Sequence, residues 1–209
     1  MGSAKAGPDF IDPVFHAKAS GNPCVNLDPW AMRTELIKHL AAKQQQIGCF
    51  VVEAMMGLFD GAADGSGSAA DLSILLGLNV ILVVDAAKQS HSIAALVRGF
   101  RDHNAECNVA GVILNRVGSP RHEKMLREAL NAIDMPVFGV VPRDEKLALP
   151  SRHLGLVQAE EHENVEQFIV ATEDAKTGTM ADMLDLKGKT VGMGKQNSGT
   201  LGSNKVLLS

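Results

Sequence analysis

The sequence predicts a doubly wound α/β domain built around a mostly parallel β-sheet. Four apolar runs lack the period of two that is typical of a half-exposed sheet, so helices are expected to cover both faces of each strand. Segments with helical spacing separate the runs, and this alternation favours right-handed crossovers between parallel strands. The predicted strands cover residues 49–52, 79–85, 109–114 and 137–141.

Capping residues and apolar spacing predict the helices between these strands. Asp28 and Pro29 are typical of an N-cap and a first helical position, and Ser68 is expected to cap the next helix. The predicted helices cover residues 28 to about 46, 69–76, from Ser90 or Ser92 to about Phe100, 120–132 and 160–174.

The composition is that of an ordinary globular protein, with 45% hydrophobic and 21% charged residues. A net charge of −4 provides no basic face for nucleic acid. No apolar run reaches the roughly 18 residues that a membrane span requires. The three cysteines are widely spaced, which argues against a disulfide or zinc framework, and we expect a protein of the reducing cytoplasm.

Polar side chains follow the predicted strands, at the edge where open α/β sheets bind ligands. Glu53, Asp85, Asn115 and Arg143 hold these positions. Carboxylates there suit Mg²⁺, which takes few protein ligands beside phosphate and water oxygens. An asparagine at a strand end can pair with a base edge. The set indicates a nucleotide-dependent enzyme, although Glu53 considered alone is equally well explained as a helix cap or a lysine partner.

A turn-forming segment upstream, residues 4–28, holds two more carboxylates between prolines. Asp9 and Asp12 are confined to few positions because Pro8 and Pro13 restrict the backbone. A self-capped turn is the common alternative. His16 follows, and a lone histidine is more often a hydrogen-bonded structural residue than a ligand.

A nucleotide-dependent enzyme of this kind is expected to carry a phosphate-binding loop of the form GxxxxGK[ST], which the sequence does not contain. Gly188-Lys189-Thr190 supplies the last three letters, but Met183 stands where the first glycine is required. We therefore expect that the chain lacks the first strand and loop of a larger domain.

Several motifs in matching order resemble the cobyrinic acid a,c-diamide synthases. The resemblance extends from about residue 5 to about residue 170, and its combination of motifs is highly specific. The motifs are GPDFIDP at 7–13 with His16, NLD at 26–28, VEAMMGLFDG at 52–61, GSGSAADL at 65–72, LVVD at 82–85, GVILNRV at 111–117 and PSRHLGL at 150–156.

The resemblance implies a synthetase domain with a P-loop NTPase-like three-layer sandwich, incomplete here at its N-terminus. Such enzymes use ATP and Mg²⁺ to phosphorylate the a and c carboxylates of cobyrinic or hydrogenobyrinic acid, a corrinoid tetrapyrrole of cobalamin biosynthesis. Ammonia, released from glutamine in a C-terminal glutaminase domain, then displaces phosphate. We expect a partial synthetase domain over residues 4–174, followed by a linker or poorly ordered tail over 175–209.

The matching positions imply a set of site residues. Asp9, Glu53 and Asp60 are expected to be catalytic, with Asp9 and Glu53 also acting as metal ligands. The expected substrate-binding residues are Phe10, Ile11, Asp12, His16, Leu58, Ser66 and Ser68. The expected nucleotide-binding residues are Asn115, Arg116, Pro142 and Arg143. The chain departs from the family pattern at Ala54, where Gly is usual, and at Phe10 and Phe59, which often correspond to Tyr.

With neither a phosphate loop nor a glutaminase domain in the sequence, we expect this chain alone neither to bind ATP tightly nor to make amide. One alternative function is Ni-sirohydrochlorin a,c-diamide synthesis. Another is that of a non-catalytic, partition-like NTPase relative, which would require a basic surface or a dimer-bridging lysine. We expect no nucleic-acid or membrane partner, and the choice between a monomer and a homodimer stays open.

Overall fold

The computed structural model describes residues 1–144 with their side chains, and the backbone of residues 151–152, 155–156 and 204–208. The helix predicted over 160–174 lies outside the described residues. The strands are β1 Gly2–Ala6, β2 Cys24–Leu27, β3 Phe50–Glu53, β4 Asn79–Asp85, β5 Val109–Val117, β6 Val137–Pro142, β7 Ser151–Arg152, β8 Gly155–Leu156 and β9 Asn204–Leu208. The helices are α1 Asp12–Ser20, α2 Thr34–Gln45, α3 Ala69–Leu76, α4 Ile93–His103 and α5 Pro120–Asn131.

Seven strands form one sheet in the order β2-β1-β3-β9-β4-β5-β6, and β7 pairs with β8 as a separate hairpin. Every neighbouring pair in the large sheet is parallel except the two pairs that involve β9. The carboxyl ends of β1 to β6 therefore meet at one edge of the sheet. The predicted α/β fold with a mostly parallel sheet is confirmed.

Strand β9 lies between β3 and β4 and is antiparallel to both. Leu207 is in register with Val52 on one side and with Val80 on the other. The strand falls within the range 175–209, which we expected to be a linker or poorly ordered tail. In the described part of the chain, β9 therefore joins the β2-β1-β3 half of the sheet to the β4-β5-β6 half.

The core explains why the apolar runs lack a period of two. Along β4, Val80, Leu82 and Val84 belong to the main core on one face of the sheet. Ile81 and Val83 alternate with them and pack on the other face, against Ile113, Phe138 and Val141. Both faces of β4 are thus buried, which requires consecutive apolar residues.

The N-terminal part of the chain differs most from expectation. The segment 4–28 was predicted to be a turn-rich stretch, whereas it forms the β1-α1-β2 unit. The helix predicted from Asp28 was also wrong at its start, because α2 begins at Thr34. Asp28 still accepts backbone hydrogen bonds from Trp30 and Ala31, so it caps a turn that precedes the helix.

Two glycines provide a matched test of the packing. A methyl group at Gly111 in β5 would lie 2.3 Å from the Phe138 ring, whereas one at Gly99 in α4 would meet nothing within 4 Å. We expect Gly111→Ala to lower the free energy of unfolding by about 1–3 kcal/mol through overpacking. Gly99→Ala, its control, should raise that free energy by about 0.5–1 kcal/mol because alanine favours the helix. Denaturant unfolding measures both, and equal effects would contradict the described packing.

Candidate functional site at the carboxyl ends of β1 and β3

The candidate site lies where β1 and β3 end side by side. Lys5 of β1 is in register with Glu53 of β3, and both side chains are buried. The segment after β1 carries Asp9 and leads into α1, which carries Asp12 and His16. Parallel pairing of β1 with β3 therefore gathers side chains that lie almost fifty positions apart in the sequence.

A buried lysine ammonium is at the centre of this cluster. Lys5 Nζ lies 2.7 Å from Asp12 Oδ2, 3.4 Å from Glu53 Oε1 and 3.6 Å from Asp9 Oδ2. Glu53 makes its second contact through Oε2, with His16 Nε2. One cation thus faces three carboxylates, and a histidine completes the surroundings of Glu53. Opposite charges at these distances offset the desolvation that burial imposes on each of them.

The Gly7–Asp12 turn fixes the position of Asp9. Asp9 Oδ1 accepts hydrogen bonds from the backbone N–H groups of Ile11 (2.7 Å) and Asp12 (3.2 Å). The Asn26 side chain donates to the Asp9 carbonyl oxygen at 2.7 Å, which ties the turn to the end of β2. The self-capped turn considered from the sequence is therefore present, and it leaves Asp9 Oδ2 directed at Lys5.

The same contacts set the protonation of the cluster. Burial opposes the charge of Lys5, but the carboxylates of Glu53, Asp12 and Asp9 outweigh it and raise the lysine pKa. Burial and the charge of Glu53 raise the pKa of Asp12, although Lys5 opposes this shift. For Asp9, burial is outweighed by the backbone donors Ile11 and Asp12 and by Lys5, so its pKa is lowered. Asp9 is therefore held ionised, and Asp12 takes up a proton more readily than an ordinary aspartate.

The predicted nucleotide-binding residues lie at the same edge, on the other side of β9. Asn115 follows the buried part of β5 and is in register with Asp85 of β4. Arg116 has a left-handed backbone (φ 59°) and donates to Asp85 Oδ2 at 2.9 Å. Pro142 ends β6, and the N–H of Arg143 donates to the Val117 carbonyl at 2.9 Å. These four residues form a group of their own, separate from the Lys5 cluster.

Several predicted residues make contacts that differ from the expected roles. Asp60 accepts a hydrogen bond from Gly57 N–H at 2.7 Å and closes the loop after β3. Leu58 is 0% exposed and belongs to the main core, so direct contact with a substrate is contradicted. Its burial follows from the loop folding back on α3, where the N–H of Ala70 donates to the Leu58 carbonyl.

The two serines of the following loop have local partners. Ser68 is buried and forms a capping box with Asp71, which confirms its predicted role at the start of α3. Ser66 donates its hydroxyl to Asp64 Oδ1 at 2.7 Å. The hydrogen bonds of the two serines therefore shape the loop.

Phe10, in the segment after β1, is 86% exposed and is accessible to a ligand.

The described residues contain no group of three or more His, Cys, Asp or Glu side chains arranged to hold a metal ion. Asp9 and Glu53 have the oxygen donors that Mg²⁺ prefers, and Mg²⁺ often keeps only one or two carboxylates. Both, however, already face Lys5. The residue type fits a magnesium site, but any such site would require ligands from phosphate and water as well.

Sequence reasoning missed two residues of this site. Lys5 stands among small residues in a short segment without β-branched side chains, so neither a strand nor a buried charge was apparent. Asn26 was considered only as part of the NLD motif, although its side chain holds the Asp9 turn. The position of Lys5 two residues before the GPDFIDP motif was the available signal.

A mostly parallel α/β sheet with charged groups at the carboxyl ends of its strands defines a ligand-binding α/β class of domain. Residues 11–157 match the family model described as CobQ/CobB/MinD/ParA nucleotide binding domain, named CbiA. Because the match covers more than half of the chain, the protein belongs to the CbiA family, whose domain is P-loop NTPase-like.

The chain is homologous to hydrogenobyrinate a,c-diamide synthases. It is 64% identical over 166 residues to that of Rhizobium meliloti (strain 1021), covering 79% of this chain and 39% of the relative. It is 58% identical over 176 residues to that of Brucella ovis, covering 83% and 40%. For Mesorhizobium japonicum the identity is 52% over 166 residues, covering 78% and 38%. The chain thus spans about two fifths of the length of these curated relatives.

No solved structure matches the chain. Among the described residues, no helix combines the length and apolar character needed to cross a bilayer. All three cysteines lie in the described part of the chain, and none forms a disulfide.

The charge balance of the cluster predicts the effect of removing Lys5. Lys5→Met keeps the buried stem but leaves three carboxylates uncompensated, and should lower the free energy of unfolding by about 3–5 kcal/mol at pH 7. The control is Lys124→Met, which removes an exposed i,i+4 pair with Glu128 (3.9 Å) and should change stability by less than about 0.5 kcal/mol. Chemical denaturation compares the two, and similar losses would contradict the described cluster.

The pH dependence of the Lys5→Met variant has a definite sign. Asp12 already has a raised pKa in the folded state, and removing Lys5 removes the charge and hydrogen bond that oppose that shift. A raised carboxyl pKa means that the folded state binds more protons, so stability rises as pH falls. The stability gap between Lys5→Met and the wild type should therefore narrow from pH 8 to pH 5. A gap that widens over this range would contradict the assignment.

Proposed function

We propose that this chain provides the substrate-phosphorylating part of a hydrogenobyrinate a,c-diamide synthase. The observation that carries the proposal is the Lys5 cluster at the carboxyl ends of β1 and β3. Homology to enzymes named for this reaction supports the choice of substrate class. The complete reaction would use ATP, Mg²⁺ and glutamine, and the relatives named for it extend well beyond the part that this chain matches.

The chemistry requires anions to be brought together. A side-chain carboxylate of the substrate attacks the γ-phosphorus of ATP, ADP leaves, and an acyl phosphate forms. Ammonia then attacks the acyl carbon, phosphate leaves, and the amide remains. The first step unites a carboxylate with a polyanion, so fixed positive charge at the meeting point is the main requirement.

Lys5 organises the carboxylates of the site, because its own position is fixed before any ligand binds. Its ammonium is buried, and its raised pKa keeps it charged at neutral pH. Asp9 and Asp12 orient it from one side and Glu53 from the other. Because the three carboxylates already balance the buried ammonium, we propose that Lys5 holds Asp9 and Glu53 in place for a bound cation, while His16 keeps Glu53 oriented through the contact at Oε2.

Asp9 and Glu53 would hold Mg²⁺ together with phosphate and water oxygens, and the ion would supply further charge neutralisation. In this proposal Phe10 and Ile11 contact the substrate, and Asp60 shapes the loop that faces it. Asn115, Arg116, Pro142 and Arg143 would bind the nucleotide from the β4-β5-β6 half of the sheet. We propose that the protein works in the reducing cytoplasm, which is consistent with three cysteines that form no disulfide.

The alternatives receive less support. Ni-sirohydrochlorin a,c-diamide synthesis would use the same chemistry on another tetrapyrrole, but the relatives cited above are named for hydrogenobyrinate. A partition-like role remains within the matched family description, but the net charge of −4 argues against the basic surface that such a role would require.

Direct binding tests the proposal with the full 209-residue chain. We expect hydrogenobyrinate to bind with 1:1 stoichiometry, and nickel sirohydrochlorin at least about tenfold more weakly, in titrations followed by visible absorbance. The 209-residue sequence contains no GxxxxGK[ST] phosphate loop. We therefore expect ATP with Mg²⁺ to bind only weakly in calorimetry, and no amide to form with glutamine. Absence of hydrogenobyrinate binding would overturn the proposed substrate. Tight stoichiometric ATP binding would overturn the expectation that this chain alone is inactive.

A further inference from the structure

Three loops around the Lys5 cluster expose large apolar side chains. Trp30 is 68% exposed, Met55 37% and Met56 62%, and all three lie close in sequence to the carboxyl ends of β2 or β3. Phe10, which the proposed function already assigns to the substrate, follows β1, the strand that lies between β2 and β3. We call Trp30, Met55 and Met56 the apolar rim.

The backbone of neighbouring loops is shaped to accommodate the rim. A methyl group at Gly67 would lie 2.6 Å from Trp30 Cβ and 3.2 Å from its Cα and N. A methyl group at Gly7 would lie 2.9 Å from Met55 Cε. Both glycines have left-handed φ values, +78° and +83°, which other residues rarely adopt. The backbone of Trp30 is also held in place, because its backbone N–H donates a hydrogen bond to Asp28 Oδ1 at 2.9 Å.

Met56 adopts a conformation that is uncommon for its residue type. Its φ is 60°, which is an outlier for a bulky side chain, and such strain is concentrated at functional sites. The conformation leaves 62% of the side chain in solvent, next to the short loop that Gly57 and Asp60 close. An exposed apolar side chain on a strained backbone is expected at a site where a bound ligand would cover that side chain.

We propose that the apolar rim is the contact surface for the conjugated macrocycle of the tetrapyrrole substrate, with Trp30 as its main specificity-determining residue. An indole ring and two polarisable thioethers are the groups that pack best on a flat conjugated ring. The rim follows β2 and β3, and the Lys5 cluster lies at the ends of β1 and β3, so a macrocycle seated on the rim would place its peripheral carboxylates at the same edge of the sheet as the cluster. The inference rests on the proposed function and adds the residues that recognise the ring.

The test compares variants of the full chain in hydrogenobyrinate titrations followed by visible absorbance. Trp30→Ala retains the Cβ that contacts Gly67, and should weaken binding about tenfold or more. Trp30→Phe retains an aromatic ring and should stay within about threefold of the wild type. The matched control is Ile47→Ala, because Ile47 is 40% exposed but lies before β3, at the opposite edge of the sheet. It should leave the affinity unchanged.

A second readout needs no variant. Trp30 is the only tryptophan and the chain has no tyrosine, so its fluorescence reports on this position alone. Hydrogenobyrinate should quench it at the concentrations that change the visible spectrum, while 1,2,3,4-butanetetracarboxylate, which has carboxylates but no macrocycle, should not quench it.

The outcomes separate this inference from the proposed function. If hydrogenobyrinate binds and Trp30→Ala binds it as tightly as the wild type, the rim is overturned and the substrate stands. If the wild type binds no hydrogenobyrinate, both are overturned. A loss of ATP affinity in place of hydrogenobyrinate affinity would overturn the rim by assigning Trp30 to the adenine. Conversion of a dimer to a monomer in sedimentation of Trp30→Ala would overturn it by showing that a second copy covers Trp30.

Discussion

One buried ammonium makes the candidate site possible. Three carboxylates within 3.6 Å of Lys5 Nζ would repel one another and lose hydration without a cation between them. Lys5 in turn would be costly to bury without these carboxylates, so each side of the cluster requires the other. The register of β1 against β3 and the turn after β1 satisfy this mutual requirement, which is why the local fold and the chemistry depend on the same contacts.

The sheet places three kinds of group along one edge. The Lys5 cluster lies at the ends of β1 and β3, and the apolar rim lies in the loops after β2 and β3. The third group consists of the predicted nucleotide-binding residues Asn115, Arg116, Pro142 and Arg143, towards the ends of β5 and β6. A ligand with a flat apolar ring and peripheral carboxylates matches the first two groups, and a nucleotide matches the third. Because parallel strands all end at this edge, the two ligands would bind on the same side of the sheet.

The sequence predicted the parts of the fold whose patterns are local. Runs such as 79–85 could be assigned as strands because both of their faces are buried. The start of α3 could be assigned because it depends on one local pair, Ser68 and Asp71, which form the capping box. The β1-α1-β2 unit was missed because β1 consists of small residues and a lysine, and α1 has no buried residue. Its structure depends on pairing with β3, a tertiary effect without a local signature. Leu58 was misassigned for a similar reason, since its burial depends on the loop packing against α3.

The central claim is that the Lys5 cluster and the apolar rim receive the two chemical halves of one substrate. A crystal structure of the full chain with hydrogenobyrinate tests it most directly. We predict that the macrocycle covers Trp30 and Met56, and that one substrate carboxylate lies at the edge of the Lys5 cluster, beside Asp9. A macrocycle bound elsewhere, such as against the outer faces of α4 and α5, with the Lys5 cluster unchanged, would contradict it.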